Sequence, residues 1–382
     1  MDFKSHFSYK KNMRGSIVLF LVMICILTSS CSVSSQSTLY GMGGRAAYNQ
    51  SLQMTNNEQM LLNLVRLRYL DTPFFLNVSN VTTQFTYRTT GTAEIPIPGF
   101  TNDNPPILGG EVFWQNQPTI QYTPLEGHAF ASQLLSPIEL ATLQRVILSG
   151  WDLDLVFRLA IQSFDDLLNA PEASGPIPEY IPKYQSFFEV TELFRYFQKR
   201  SELQIGVKIS KCPKEHSTPD KKAYLLQIAF PLGSKEADQL AGLLSGVVIK
   251  NEHYVLNLEL GFNKKGKIGI MPRSILSCMY YLSSGVKVPK EDIAFGYAPT
   301  TLGTEGEAFD WHDVVGELMR VYCSKCRPRR SYVSIYYKDH WFFIRDDDLL
   351  SKKTFVLLLQ LYNLQSQEVQ SAGPVLTLPI GG

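Results

Sequence analysis

The chain has 382 residues, of which 45% are hydrophobic and 12% aromatic, so it can bury a substantial core and is not mainly disordered. Its 36 basic and 35 acidic residues leave a formal net charge of +1, which gives no electrostatic case for binding nucleic acid. The length favours about two domains.

The N-terminus predicts a lipoprotein signal peptide. Basic residues precede an uncharged apolar run at 17–27, which is too short to span a bilayer, and small hydroxyl residues then lead to Cys31. A cysteine in this place resembles the lipobox of bacterial lipoproteins, where the cysteine is lipidated and becomes the new N-terminus. Thr28 stands where that pattern prefers leucine, so an ordinary cleaved signal peptide and an uncleaved anchor remain alternatives. Residues 1–30 are predicted to be removed, with Cys31 as the lipidation site.

A tether and an amphipathic helix come next. Residues 31–53 are polar and contain several glycines, which is typical of a flexible tether. Thr55 and Glu58 form a capping-box pattern, which predicts that the helix begins there. Polar residues that include Asn63 recur at helical spacing and are expected to face water. Arg68 lies on the apolar face, so it needs a carboxylate or carbonyl partner if it is buried; a ligand-binding role is the alternative.

The rest of the N-terminal half combines a hairpin with helices. Alternating residues at 74–87 and 111–122 predict two long strands around a loop that is rich in proline and glycine. Residues 126–169 predict helix in about three pieces. Four prolines at 171–182 predict a linker, with an N-terminal domain at 54–170 and a C-terminal domain at 183–382.

The second half predicts mixed secondary structure. Strands are expected at 203–209, 223–230 and 254–260, helices at 235–244, 273–283 and 349–364, and a hairpin at 332–337 and 341–345. The predicted fold class is α+β, with a helix-rich N-terminal half that contains a long β-hairpin and a mixed C-terminal half with antiparallel strands.

Cys323 and Cys326 are the most specific chemical signal. At this spacing two cysteines can form a disulfide, a redox pair or half of a zinc site, and no second pair completes a zinc tetrad. A structural or incidental role is favoured over a redox one, and no metal or cofactor is predicted. Cys212 and Cys278 are further candidates for disulfide pairing, which the sequence does not rank.

A basic cluster surrounds these cysteines and is a candidate anion-binding patch. It consists of Lys325, Arg327, Arg329 and Arg330. Its charges are expected to lower the pKa of a neighbouring thiol. The cluster can attract phosphate, anionic lipid or polyanionic glycan, but the acidic run at 346–348 is expected to neutralise it.

Other motifs predict no catalytic residue. Residues 261–267 resemble a phosphate-binding loop, but Ile268 replaces the required serine or threonine, so a lysine-rich hairpin turn is preferred. His312 has carboxylates beside it, although adjacent residues rarely face one another. The aromatic stretch at 332–343 is a candidate contact surface on which alternation places Tyr336 outward.

Several stretches resemble an uncharacterised family of bacterial envelope proteins that are predicted lipoproteins. They lie at 57–78, 118–127, 148–158, 169–178, 341–365 and 375–381. The resemblance covers most of the mature chain and implies no known activity, cofactor or catalytic residue.

The expected function is that of a non-enzymatic scaffold or binding module. Ser32 follows Cys31, where aspartate would signal retention at the inner membrane, so the expected place is the periplasmic face of the outer membrane. The membrane, through the lipid, and envelope proteins are the expected partners, and a secreted or soluble periplasmic protein is the alternative. A periplasmic enzyme, either a thiol oxidoreductase that uses Cys323 and Cys326 or a hydrolase of envelope polymers, is the competing hypothesis.

Overall fold

The computed structural model describes residues 45–92, 109–211, 222–261 and 265–366, so Cys31, Cys212 and the predicted signal peptide lie outside the described residues. The chain divides into two compact units, Met1–Asn57 and Glu58–Gly382. The fold class is α+β, as predicted. Helices dominate the N-terminal half apart from one long hairpin, and antiparallel and mixed sheets occupy the C-terminal half.

Helix α1 spans Arg45–Arg68 and begins well before the predicted start. Thr55 lies inside the helix, where its hydroxyl donates to the carbonyl oxygen of Leu52 at 3.0 Å instead of capping the N-terminus. Residues 45–54 contain no glycine or proline, so nothing in them stops the helix from extending backwards. The last part of the predicted flexible tether is therefore helical.

The predicted hairpin is confirmed. Strands β1 (Phe75–Thr92) and β2 (Gly109–Leu125) pair antiparallel from Phe75 opposite Leu125 to Thr92 opposite Gly109. Among the strands that the structure describes, no third strand pairs with this ribbon.

Two amide side chains of α1 hydrogen-bond the main chain at the root of β1. Asn63 donates to the carbonyl of Phe74 and accepts from its N–H, both at 2.9 Å. Gln59 does the same with Leu76, at 3.1 Å and 2.7 Å. Asn63 is fully buried, so the prediction that it faces water is wrong. Its amide is buried because it supplies the donor and acceptor that a neighbouring strand would otherwise provide.

Three short helices follow the ribbon, as predicted: α2 (His128–Leu135), α3 (Leu140–Leu148) and α4 (Leu153–Ala160). The predicted helix does not continue to residue 169. The chain turns instead into β3 (Ile161–Phe164) and β4 (Leu167–Leu168). Asp165 makes the tight turn between them with a φ of 47°, and its carboxylate accepts hydrogen bonds from the N–H of Gly269 and the hydroxyl of Ser245.

A seven-stranded sheet forms the centre of the second unit. Its remaining strands are β5 (Gln204–Lys211), β6 (Lys222–Pro231), β7 (Val248–Lys250), β8 (His253–Leu260) and β9 (Ile268–Pro272). The order is β4-β3-β9-β8-β6-β5, and β7 pairs with β8. Because β3 and β4 precede the predicted linker at 171–182 but join strands that follow it, the linker does not separate two sheets.

The pairing of β8 with β9 corrects the interpretation of residues 261–267. The two strands are parallel, with Leu258 opposite Ile268, so the connection between them is not the turn of an antiparallel hairpin. The chain is extended after Lys267, whereas a phosphate-binding loop needs a helix there.

The other helices of the middle of the chain are α5 (Gln185–Lys199), α6 (Lys235–Leu243), α7 (Ile275–Ser283), α8 (Lys290–Ala294) and α9 (His312–Val315). Phenylalanine rings join α4 and α5 to the sheet. Phe157 packs against Phe164 and Phe194 with centroids 5.2 Å and 5.7 Å apart, and Phe197 stacks on Phe230 at 5.3 Å. All are buried, and each contributes roughly 1.5–3 kcal/mol by leaving water.

Arg273, directly before α7, is fully buried and has no carboxylate partner among the described residues. Its guanidinium lies 3.9 Å from the centre of the Tyr281 ring, and its Nε donates to the hydroxyl of Ser174 at 3.1 Å. The other donors bind main-chain carbonyls of Arg158, Leu159, Ile161, Asn169 and Ala170. Arg273 therefore joins the end of α4 to the segment that was predicted to be a linker.

A three-stranded antiparallel sheet and a helix complete the fold. Strands β10 (Tyr322–Ser324), β11 (Ser331–Tyr337) and β12 (His340–Arg345) are arranged in the order β10-β12-β11. Helix α10 (Leu349–Ser366) follows, close to its predicted bounds.

Candidate functional site

The two faces of the C-terminal sheet differ in chemistry. Val333, Ile335, Phe342 and Ile344 point inward and are buried, while Tyr336 points outward with 56% of its surface exposed. The two-residue period of a strand places alternate side chains on opposite faces, which is why the sequence pattern anticipates this arrangement.

Aromatic rings and cations occupy the outward face. The rings of Tyr322 and Phe343 stack with centroids 5.8 Å apart, and those of Tyr336 and Trp341 lie 5.4 Å apart. The guanidinium of Arg327 lies 5.2 Å from the centre of the Trp341 ring, within the range of a cation–π interaction. We refer to Tyr322, Arg327, Tyr336, Trp341 and Phe343 as the aromatic–cationic face.

Two further cations lie at the margin of this face. The Lys287 ammonium and the Arg345 guanidinium are 5.7 Å and 5.9 Å from the centre of the Tyr322 ring. Arg345 is also paired with Asp347 at 2.5 Å. Lys287 therefore adds positive charge beside the Tyr322 ring, while the charge of Arg345 is balanced by Asp347.

The basic cluster of Lys325, Arg327, Arg329 and Arg330 is exposed in the connection between β10 and β11. The acidic run at 346–348 does not neutralise it, contrary to the expectation from sequence. Asp346 pairs with Lys352 at 2.7 Å, and Asp348 accepts from the N–H and hydroxyl of Ser351 in the first turn of α10. Within the described ranges the four cluster residues form no ion pair, so their charge is available to a partner.

Cys323 and Cys326 are free thiols in the structure, as is the buried Cys278. Burial, together with the negative charge of Asp292, raises the pKa of the Cys323 thiol to about 11. The basic cluster therefore does not lower that pKa, and the sequence-based expectation is wrong. The Cys323 side chain therefore stays protonated at neutral pH, and a protonated thiol is a poor nucleophile.

The remaining candidates are engaged in structural contacts. Lys267, in the segment 261–267 that resembles a phosphate-binding loop, pairs with Glu259 at 2.5 Å. His312 faces a guanidinium rather than a carboxylate, since its Nε2 lies 2.8 Å from Nη2 of Arg320. Asp310 accepts from the main-chain N–H of His312.

No family model, curated protein or solved structure matches this chain. The resemblance to envelope lipoproteins therefore stays a prediction. No helix of the described segments has both the length and the apolar character needed to cross a bilayer. Those same segments contain no cluster of three or more histidine, cysteine, aspartate or glutamate residues suited to a metal ion.

The sequence did not reveal that Tyr322 belongs to the aromatic–cationic face or that Lys287 lies at its margin. Tyr322 begins a strand of three residues, which is too short to show alternation. Lys287 lies in a loop far away in sequence and reaches the face because its main-chain N–H bonds the carbonyl of Val321 at 3.0 Å. Only tertiary structure brings these residues together.

Proposed function

We propose that this protein is a lipoprotein, anchored through Cys31 on the periplasmic face of an outer membrane, whose folded part is a non-enzymatic binding module. Its partner is an envelope protein that presents acidic residues to the aromatic–cationic face. The alternative to the anchored form is a secreted or soluble periplasmic protein.

The observation that carries the binding module is the exposed basic cluster beside half-exposed aromatic rings. Tyrosine, tryptophan and arginine are the residues that most often dominate the binding energy of protein interfaces. Cations without ion-pair partners attract an acidic surface from a distance and fix its orientation. An acidic protein surface complements both the charge and the apolar rings of this face.

The anchor is supported by sequence features alone. The apolar run and the cysteine that follows it are spaced as lipoprotein processing requires. Acyl chains contribute about 0.8 kcal/mol for each buried CH₂ group, so two or more chains on Cys31 hold a folded domain at a membrane.

A Cys31→Ala variant tests the anchor. We expect the wild-type protein in the detergent-soluble membrane fraction and the variant in the soluble periplasmic or secreted fraction. An unchanged membrane fraction for Cys31→Ala contradicts lipid anchoring at this residue.

Crosslinking in intact cells, followed by recovery of the native protein, tests the binding face. We expect Arg327→Glu and Tyr336→Ala to reduce recovery of the partner at least about tenfold, since each removes an interface anchor. Arg145→Glu, an exposed charge reversal on α3, is the matched control and should leave recovery unchanged. Equal recovery with all three variants, or crosslinks to peptides without acidic residues, contradicts the proposal. Capture by vesicles of anionic lipid that depends on Arg327 would assign the face to a membrane instead.

A further inference from the structure

A cleft of about 300 Å³ lies between the end of α1, the loop after α7, the segment before α9 and the residues just before β10. This volume is at the lower end of the range for small-molecule sites. Its lining includes Arg68, Lys287, Arg320, Asp310 and His312. It is a different place from the aromatic–cationic face, although Lys287 borders both.

Arg68 is the most unusual residue of the cleft. It is only 6% exposed, and no carboxylate pairs with it among the residues that the structure describes. Nη1 donates to the carbonyl of Pro299 at 2.7 Å, but Nε is buried with no hydrogen-bond partner. Burial lowers the pKa of Arg68 to about 10, which still leaves it charged at neutral pH. Buried cations are normally paired with an anion, and this guanidinium has only the carbonyl of Pro299 as a partner.

The other charged groups make the cleft positive. Lys287 and Arg320 add two cations, and Asp310 is the carboxylate that opposes them. Oδ1 of Asp310 already accepts from the N–H of His312. A cation entering this cleft would meet three positive side chains, whereas an anion would meet an excess of donors.

The local structure holds Arg320 in place. Its Nε donates to the carbonyl of Gly316 at 2.9 Å, and its Nη2 lies 2.8 Å from Nε2 of His312. A Cβ atom at Gly316 would overlap the imidazole of His312, so glycine is required there for the ring to support the guanidinium. The main-chain N–H of Arg320 also donates to the hydroxyl of Ser351 at 2.9 Å.

We infer that this cleft binds a small anion through a carboxylate or phosphate group. Arg68 and Arg320 supply guanidinium donors that match the paired oxygens of either group, and Lys287 adds a positive charge at the margin. The walls exclude part of the solvent, which strengthens these interactions relative to open water. A ligand anion in the cleft would give the Arg68 guanidinium the negative partner that no described residue supplies.

Titration of the full-length protein in detergent tests this site, with inorganic phosphate and succinate as separate probes at fixed ionic strength. Trp311 lines the cleft and is 7% exposed, so its fluorescence reports occupancy, and calorimetry gives the stoichiometry. We expect one saturable site for at least one of the two anions. Preference for phosphate or for succinate distinguishes a phosphorylated ligand from an organic acid.

Variants separate a built site from general attraction. Lys287→Gln should weaken binding about tenfold, because a charged hydrogen bond is lost at an exposed position that does not affect folding. Lys325→Gln is the matched control: it removes the same charge from another exposed lysine and should change affinity less than about twofold. Arg68→Gln should abolish measurable binding, with its fold checked by circular dichroism.

Three results would overturn the inference: no saturable response to either anion, equal weakening by Lys287→Gln and Lys325→Gln, or no effect of Lys287→Gln. The test is independent of the proposed partner, because Arg327→Glu and Tyr336→Ala leave the cleft intact. Loss of partner recovery in those variants with normal anion binding separates the two sites.

Discussion

Replacement of Arg273 by methionine should destabilise the protein, although the new side chain is of similar length and apolar. The guanidinium donates to five main-chain carbonyls and to Ser174, and it stacks on Tyr281. Methionine fills much of the space but removes all of the donors and the cation over the Tyr281 ring, so the change tests these polar contacts with little loss of packing.

Most of the five carbonyls keep another donor after the change, which limits the cost. Asn169 Nδ2 also donates to Arg158 and Ile161, the Cys278 thiol to Leu159, and the N–H of Ala173 to Ala170. Among the described residues only the carbonyl of Asn169 loses its hydrogen-bond partner, which lowers the free energy of unfolding by about 1–3 kcal/mol. Loss of the stack on a buried ring adds about 2 kcal/mol. Relief from burying an unpaired cation subtracts from this sum, because burial already lowers the pKa of Arg273.

We therefore expect Arg273→Met to lower the free energy of unfolding by about 2–4 kcal/mol, a large share of the ~5–15 kcal/mol typical of folded proteins. Urea denaturation in a Cys31→Ala background measures this difference. Arg273→Lys should be no more stable than Arg273→Met, because an ammonium keeps the buried charge without the planar fork of donors. Arg200, which is exposed but lies 5.3 Å from the centre of a tyrosine ring, is the control, and Arg200→Met should leave stability unchanged. Wild-type stability of Arg273→Met, or of Arg273→Lys, would refute this reasoning.

Three further outcomes follow from particular contacts. Gly246→Ala should lower the free energy of unfolding by about 2–4 kcal/mol, because φ is 82° and the new Cβ would lie 2.6 Å from a main-chain oxygen. Gly150→Ala has a φ of 95° but open space around the new Cβ, so it should lower that free energy by only about 1–2 kcal/mol. Thermal unfolding measures both differences. Thiol labelling at pH 8, mapped by mass spectrometry, should modify exposed Cys326 faster than Cys323, and equal rates contradict the high pKa of Cys323. Burial and a hydrogen bond to an aspartate raise the pKa of Tyr337 to about 12, so its stabilising contribution is complete below pH 10 and is lost as pH rises through 12. Tyr337→Phe should flatten that alkaline decline in denaturation midpoints, and an unchanged slope argues against this titration.

Local patterns predicted the parts of the fold that depend on local periodicity. Alternation at 332–345 gave both strands of the C-terminal hairpin and the outward position of Tyr336, because that period is set by strand geometry alone. The helix predicted at 349–364 differs from the observed Leu349–Ser366 by two residues at its C-terminal end. The parallel pairing of β8 with β9 was missed because the strand pattern carries no information about the direction of its neighbour.

The sequence could not reveal contacts whose partner is the main chain. Asn63 and Arg273 bind peptide groups, which every residue carries, so no complementary side chain marks them. The acidic run at 346–348 was misassigned because Arg345 and Lys352 lie nearer to it than the basic cluster does in the fold. Arg68 and Arg320 line the same cleft only because of the tertiary structure, so no local sequence pattern predicts the positive charge of the cleft.

The amide contacts at the root of β1 also affect how the protein behaves at high concentration. An open strand edge is a template for pairing with another chain. Asn63 and Gln59 close that template at Phe74 and Leu76, whereas the described part of the ribbon beyond them has no third strand. Self-association should therefore begin along the outer ribbon and not at its root. Asn63→Leu should allow self-association at the root as well and so lower the solubility of the protein. Light scattering across a concentration series would detect this change.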